Sequence, residues 1–281
     1  EISACLVGSE MCIRDRTMVI LSIFLVSCAQ NLELEQEQEQ ETSDEISSED
    51  NTPQNITTIE TAYVPSRTIK IACVGDSLTY GVGATDRTSK SYPSKLQSLL
   101  GDSYEVKNFG RSRAFMIDKS EYSDFTYSSD KSVAYKSTSE YRSSIQYDAN
   151  IVLICLGTND AHASNKNADV DQKTFFYESA VALAKEYQNL PSKPKVYLIC
   201  PPSRFDAEYR REYVSAVIIP QLIEAAASVE CETIDLFSVT DNYALNKDKM
   251  YFSTDGVHLS DEGYALIAQC VYDVVSACRL D

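Results

Sequence analysis

Histidine occurs only twice in the 281 residues, at His162 and His258, and the nine cysteines include no Cys-x-x-Cys pair. A zinc cluster therefore lacks its usual ligands and spacing, so no metal and no organic cofactor is expected. Basic residues are also scarce, with 25 Lys and Arg against 42 Asp and Glu, a net charge of −17. That balance argues against a nucleic-acid partner, which needs a basic footprint. The apolar run from Met18 to Val26 is too short to span a bilayer as a helix. There are no internal repeats, which sets solenoids and propellers aside. Composition leaves the oligomeric state open.

The acidity is unevenly spread. Residues 31–60 hold ten acidic groups and no Lys or Arg, and removing them takes −17 to −7. Such a Glu/Gln/Ser tract cannot bury enough apolar surface to fold. It is expected to be a disordered, solvated linker over residues 29–64. Before it, residues 1–17 show neither helical nor strand periodicity. Met11-Cys12-Ile13-Arg14-Asp15-Arg16 looks like a translated library adapter, so 1–17 is read as a sequencing artefact, with a genuine unstructured N-terminus as the alternative. Residues 18–28 fit a secretory signal, and Leu25-Val26-Ser27-Cys28 resembles a bacterial lipoprotein box with Cys28 as the lipidated residue. A plain signal peptide is the other reading. Together these give the expectation of a bacterial cell-envelope lipoprotein, periplasmic or on the outer surface, touching the membrane only through a lipid anchor. Export would permit one disulfide among Cys231, Cys270 and Cys278, whereas Cys73, Cys155 and Cys200 sit in apolar strand-like runs.

From Pro65 to the end at Asp281, short apolar runs alternate with longer helical patterns. Strands are expected at Ile69–Val74, Tyr104–Phe109, Ile151–Leu156, Lys195–Cys200 and Glu232–Leu236. Helices are expected at Tyr92–Leu100, Asp171–Tyr187, Ala207–Val229 with a bend at Pro220, and from Ser260 to about Ala277. Alternation of this kind predicts an α/β domain, a parallel sheet covered on both faces. Only Arg111–Asp148, rich in Ser and Tyr, is poorly periodic, and its length marks a functional excursion or a flap.

In an open parallel sheet, ligands bind beyond the carboxyl ends of the strands. Strand one leads there to Gly75-Asp76-Ser77, strand two to Gly110, strand three to Gly157-Thr158-Asn159-Asp160. Strand five is expected to lead to the loop with Asp255-Gly256-Val257-His258. Ester cleavage needs an exposed hydroxyl at a sharp turn, a histidine to take its proton, a carboxylate to orient that histidine, and donors for the oxyanion. Ser77, His258 and Asp255 can supply the first three. The Asn159 amide and the N–H groups of Ser77 and Gly110 can supply the donors. Singly, each has a structural explanation: Ser77 as a helix N-cap, Asn159 and Asp160 as turn residues, His258 as a surface residue.

The four blocks in this order resemble the SGNH (GDSL-type) hydrolase family over residues 68–278. They are Gly75-Asp76-Ser77-Leu78, Asn108-Phe109-Gly110, Gly157-Thr158-Asn159-Asp160 and Asp255-Gly256-Val257-His258. The resemblance implies a three-layer α/β/α sandwich with a five-stranded parallel sheet, flavodoxin-like in type, over 65–281. It also implies Ser77 as nucleophile, His258 as general base, Asp255 as its partner, and Ser77, Gly110 and Asn159 as the oxyanion hole. One departure stands out: after Gly110 the family often has a small, glycine-bearing turn, and here it reads Arg111-Ser112-Arg113. The expected activity is a carboxylic ester hydrolase acting on small-molecule or glycan esters, with short acyl groups, acetyl above all, on carbohydrate. A lysophospholipase or thioesterase of the same fold, and a non-catalytic glycan-binding lipoprotein, are the alternatives. His162 is either a pocket residue or an exposed loop residue, and Tyr122, Tyr127, Tyr135, Tyr141 and Tyr147 either stack on sugar rings or pack the loop.

Overall fold

The runs at Ile69–Val74, Ile151–Leu156 and Lys195–Cys200 are buried on both sides, so they need a helical layer on each face, while those at Tyr104–Phe109 and Glu232–Leu236 are partly exposed. The computed structural model describes residues 68–118, 131–162, 169–245 and 251–278, all within the unit Ala62–Asp281. The expected artefact, signal segment, Cys28, the whole acidic linker 29–64 and residues 65–67 of the domain lie outside the described residues, as do Tyr122 and Tyr127.

Strands β1 (Ile69–Gly75), β2 (Tyr104–Gly110), β5 (Ile151–Cys155), β6 (Lys195–Cys200) and β7 (Glu232–Asp235) form one sheet in the order β2-β1-β5-β6-β7. All four pairings are parallel. Two-residue strands β3 (Ala114–Phe115) and β4 (Val133–Ala134) form a separate parallel pair. Along β1 the side chains alternate, Ala72 and Val74 entering one core and Ile71 and Cys73 the other. The first core is closed by helices Ser139–Tyr147, Asp169–Gln188 and Ile219–Ser228, the second by Tyr92–Leu100 and Asp261–Ser276. This is the expected three-layer sandwich. Chain order reverses direction between β1 and β5, which places the switch point of the sheet there.

Helix boundaries follow local chemistry. Numbered in chain order, α1 is Ser77–Tyr80, α2 Arg87–Lys90, α3 Tyr92–Leu100, α4 Ser139–Tyr147, α5 Asp169–Gln188, α6 Glu208–Tyr213, α7 Ile219–Ser228, α8 Leu236–Leu245 and α9 Asp261–Ser276. Gly101 ends α3 with φ 71°, and the Ser260 hydroxyl caps α9 by accepting the N–H of Gly263.

Three expectations are corrected. The helix expected over Ala207–Val229 is α6, a π-helical segment Val214–Ile218, then α7. Pro220 has no N–H to donate, and the N–H of Ile219 reaches back five residues to Val214 O, so the α-helix is interrupted by a widened turn just before the proline. The segment after β7 is not a loop but α8, because the Asp235 carboxylate accepts the Ser238 N–H at 3.0 Å and starts a helix. Within Arg111–Asp148, α4 is a helix. Thr138 caps it by accepting the Tyr141 N–H at 3.1 Å, and Tyr141 and Ile145, one turn apart, reach the core behind a screen of serines. No disulfide joins the described cysteines, Cys231, Cys270 and Cys278 included.

Candidate active site

Ser77 owes its position to the way β1 ends. Asp76 caps α1, its Oδ1 accepting the Leu78 N–H at 2.9 Å, and Gly81 closes the helix with φ 97°. Such a turn after a strand lifts the Ser77 side chain to the carboxyl edge of the sheet. Gly110 at the end of β2 packs beneath it: a β-carbon there would lie 2.2 Å from the Tyr80 backbone nitrogen, so only glycine lets α1 sit this close.

The second part comes from the turn before α9. One oxygen of Asp255 accepts the N–H groups of Val257 and His258, each at 2.9 Å, and the Ser253 hydroxyl at 2.7 Å. Gly256 takes φ 70° within that turn. The other Asp255 oxygen lies 2.6 Å from His258 Nδ1, and His258 Nε2 lies 2.9 Å from Ser77 Oγ. A carboxylate only accepts, so Nδ1 carries the proton and Nε2 is left to accept the serine hydroxyl. Partial burial would raise the Asp255 carboxyl, but the hydrogen bonds from His258, from the two N–H groups and from Ser253 outweigh it and hold it well below the usual carboxylate range.

The three residues share a cleft of about 460 Å³ with Val82, Ser112, Arg113, Phe115, Ser132, Asn159, Asp206 and Val257. Asn159 follows β5 across the switch point, and its Nδ2 donates to Ala114 O at 2.9 Å and lies 3.5 Å from Asp76 Oδ2. Gly110 is not brought into this cleft. It lines a neighbouring one of about 360 Å³ with Tyr80, Arg87 and Asn108. Its N–H donates to Asn108 Oδ1 at 2.9 Å.

Beneath the cleft lies a buried polar layer. Asp160 accepts the Met116 and Ile117 N–H groups at 3.0 and 3.1 Å, which ties the loop after β5 to the bend after β3. Burial pushes the Asp76 carboxyl up to about 7 and Asp160 up to about 6, the backbone hydrogen bonds opposing it in each. Arg204 is fully buried; its guanidinium grips both oxygens of Asp206 at 2.7 Å and donates to Thr158 O at 2.8 Å.

Arg204 and Asp206 were absent from the residues picked out by sequence. They lie just after β6, the strand whose carboxyl end carries Pro201-Pro202-Ser203 and no motif, and the rule that marked the other loops covers this one too. Of the tyrosines, Tyr135, Tyr141 and Tyr147 pack against the first core. Tyr135 donates to Phe109 O at 2.7 Å and meets Tyr141 edge to face. None of the three lines the Ser77 cleft. His162 ends the short turn Asp160–His162, and its side chain lies outside what is described.

Three comparisons bear on this arrangement. An acetylxylan esterase from Xylanibacter ruminicola is 29% identical over 218 residues, which cover 72% of this chain and 42% of that protein. The chain thus spans less than half the length of that relative. The structure of an aryl esterase from M. smegmatis matches with a TM-score of 0.56 at 20% identity, over 75% of this chain and 99% of that one. An acetyl xylan esterase structure, AlAXEase, matches with a TM-score of 0.56 at 20% identity, over 74% of this chain and 100% of that one. Both share the fold. Residues 73–266, from the middle of β1 into α9, match the model of the GDSL-like lipase/acylhydrolase family, and the chain belongs to that family.

Proposed function

We propose that this protein is a serine carboxylic ester hydrolase that removes short acyl groups, acetyl above all, from carbohydrate. The observation that carries this reading is the continuous chain from Asp255 Oδ2 through His258 to Ser77 Oγ, with contacts of 2.6 and 2.9 Å. In the proposed mechanism His258 Nε2 takes the Ser77 proton as Oγ attacks the ester carbonyl carbon. The Asp255 carboxylate stabilises the imidazolium that results. The Asn159 amide and the Ser77 N–H offer donors to the oxyanion, while the Gly110 N–H is taken by Asn108 Oδ1. His258 then returns the proton to the leaving sugar hydroxyl, and a water molecule, deprotonated in the same way, releases the acid from Ser77.

Ser112, Arg113, Ser132 and Asn159 at the cleft offer hydrogen-bonding groups to a hydroxyl-rich alcohol. The likeness to an acetylxylan esterase supports the carbohydrate side of the proposal. The test is Ser77→Ala against wild type on 4-nitrophenyl esters of two to twelve carbons and on acetylated oligosaccharides. Wild type should prefer acetyl, and the variant should lose at least about a thousandfold in kcat. Preference for the long esters would replace this reading by the lysophospholipase or thioesterase one. Glycan binding without turnover would replace it by a non-catalytic one. A lipid on Cys28 is part of the same proposal for an envelope protein, and labelled palmitate incorporated into the intact chain but not into Cys28→Ser is its check.

A further inference from the structure

Arg113 stands where the backbone disfavours any side chain. Its φ is +66°, the left-handed region, and it is one of four non-glycine residues among the described ones with positive φ. A glycine would adopt this turn freely. Strain held at a site wall calls for a compensating role for the side chain that causes it. The side chain is exposed and lines the cleft with Ser77, Asn159 and His258.

The charges around it are otherwise matched. Asp206, on the same cleft, is held by both Arg204 and Arg210. Asp255 is held by His258, Ser253 and two backbone N–H groups. Arg111, two positions earlier, pairs with Glu140 at 3.8 Å, beside the other cleft. Arg113 makes no ion pair among the described residues. In a chain of net charge −17, a cation at the nucleophile's cleft, with the cleft's described carboxylates Asp206 and Asp255 already engaged, is set for a negative charge that arrives with the substrate. A guanidinium fork matches a carboxylate in a bidentate way that an ammonium does not.

We propose that Arg113 is a specificity-determining residue that binds a carboxylate on the sugar bearing the ester, so that acyl groups on or beside a uronic acid unit are the preferred substrates. This rests on the ester-hydrolase reading above. The substrates that test it are acetylated methyl glucoside and acetylated methyl glucuronide, each as the mixture of positional isomers, which differ in a hydroxymethyl group against a carboxylate. The readout is the ratio of kcat/KM for the acid to that for the neutral sugar, in the full chain, with thermal melting of each variant in parallel.

Wild type should favour the glucuronide by roughly tenfold, mainly through KM, and the preference should shrink at high salt. Arg113→Gly should bring the ratio near one, Arg113→Lys should keep part of it, and Arg113→Glu should invert it. A ratio that Arg113→Gly and Arg113→Glu leave at the wild-type value overturns the proposal while the esterase reading stands, as does a wild type without preference. A wild type that cleaves neither sugar ester nor 4-nitrophenyl acetate overturns both.

Discussion

Arg204 and Thr158 are joined across the sheet: the guanidinium donates to the Thr158 carbonyl oxygen at 2.8 Å, one residue before Asn159. The same buried side chain holds both oxygens of Asp206, so the loop after β6 and the loop after β5 share one anchor. Arg204→Met should leave Thr158 O and the Asp206 carboxylate short of donors. Asp206 keeps Arg210 and reaches the cleft, so the cost falls short of the about 3–5 kcal/mol of a fully buried pair that loses its only partner. The expected outcome is a melting temperature lowered by many degrees and a lower kcat in the fraction that folds, checked by calorimetry and ester turnover.

Asn159 presents its amide to the Ser77 cleft while donating to Ala114 O. Asn159→Ala should lower kcat by about a hundred- to a thousandfold, the usual effect of losing one oxyanion donor, with a smaller change in KM. Equal kcat in the two proteins, measured under saturating 4-nitrophenyl acetate, would remove Asn159 from the oxyanion hole.

Asp255 is held in its charged form by its hydrogen bonds, so its folded carboxyl titrates below its unfolded value. A lowered carboxyl contributes stability that is present above the unfolded value, about 4, and is lost as pH falls through the folded one. Asp255→Asn should therefore be less stable than wild type at neutral pH, and the margin should narrow below about pH 4. Its kcat should fall by orders of magnitude, because an amide that donates toward Nδ1 presents His258 in the wrong tautomer. Melting curves and turnover across that pH range check both.

Asp76 behaves in the opposite sense. Burial raises its carboxyl to about 7, and that of Asp160 to about 6, so the folded state takes up protons that the unfolded chain has released. A raised carboxyl contributes stability below the unfolded value and loses it as pH rises through the folded one. Asp76→Asn should thus gain in stability relative to wild type as pH rises from about 4 to about 7. Parallel melts at several pH values read the difference, and a flat difference would mean that Asp76 is ionised throughout.

The parts of this protein that sequence alone determined are those written in local periodicity and short-range chemistry. Ile151–Cys155 reads as a strand because every residue in it is apolar, and Ser260 reads as a cap because its hydroxyl reaches a neighbour three residues on. Ser77, Asn159, Asp255 and His258 were legible because each sits in a motif just past a strand or before a helix. What lacks such a signature stayed hidden. Helix α4 carries only Tyr141, Ile145 and Tyr147 as its apolar face, and α8 follows β7 without a break.

Tertiary structure alone decided the rest, because contacts between distant segments follow from the packing of the sheet. It set Ser77 Oγ against His258 Nε2 across 181 positions of chain. It gave the Gly110 N–H to Asn108, and turned Tyr135 into the core rather than toward a sugar. It also buried Arg204 between two loops and left Arg113 at the cleft in a glycine's conformation, and a side chain's burial or backbone angle is a property of the folded neighbourhood that its letter in the sequence does not carry.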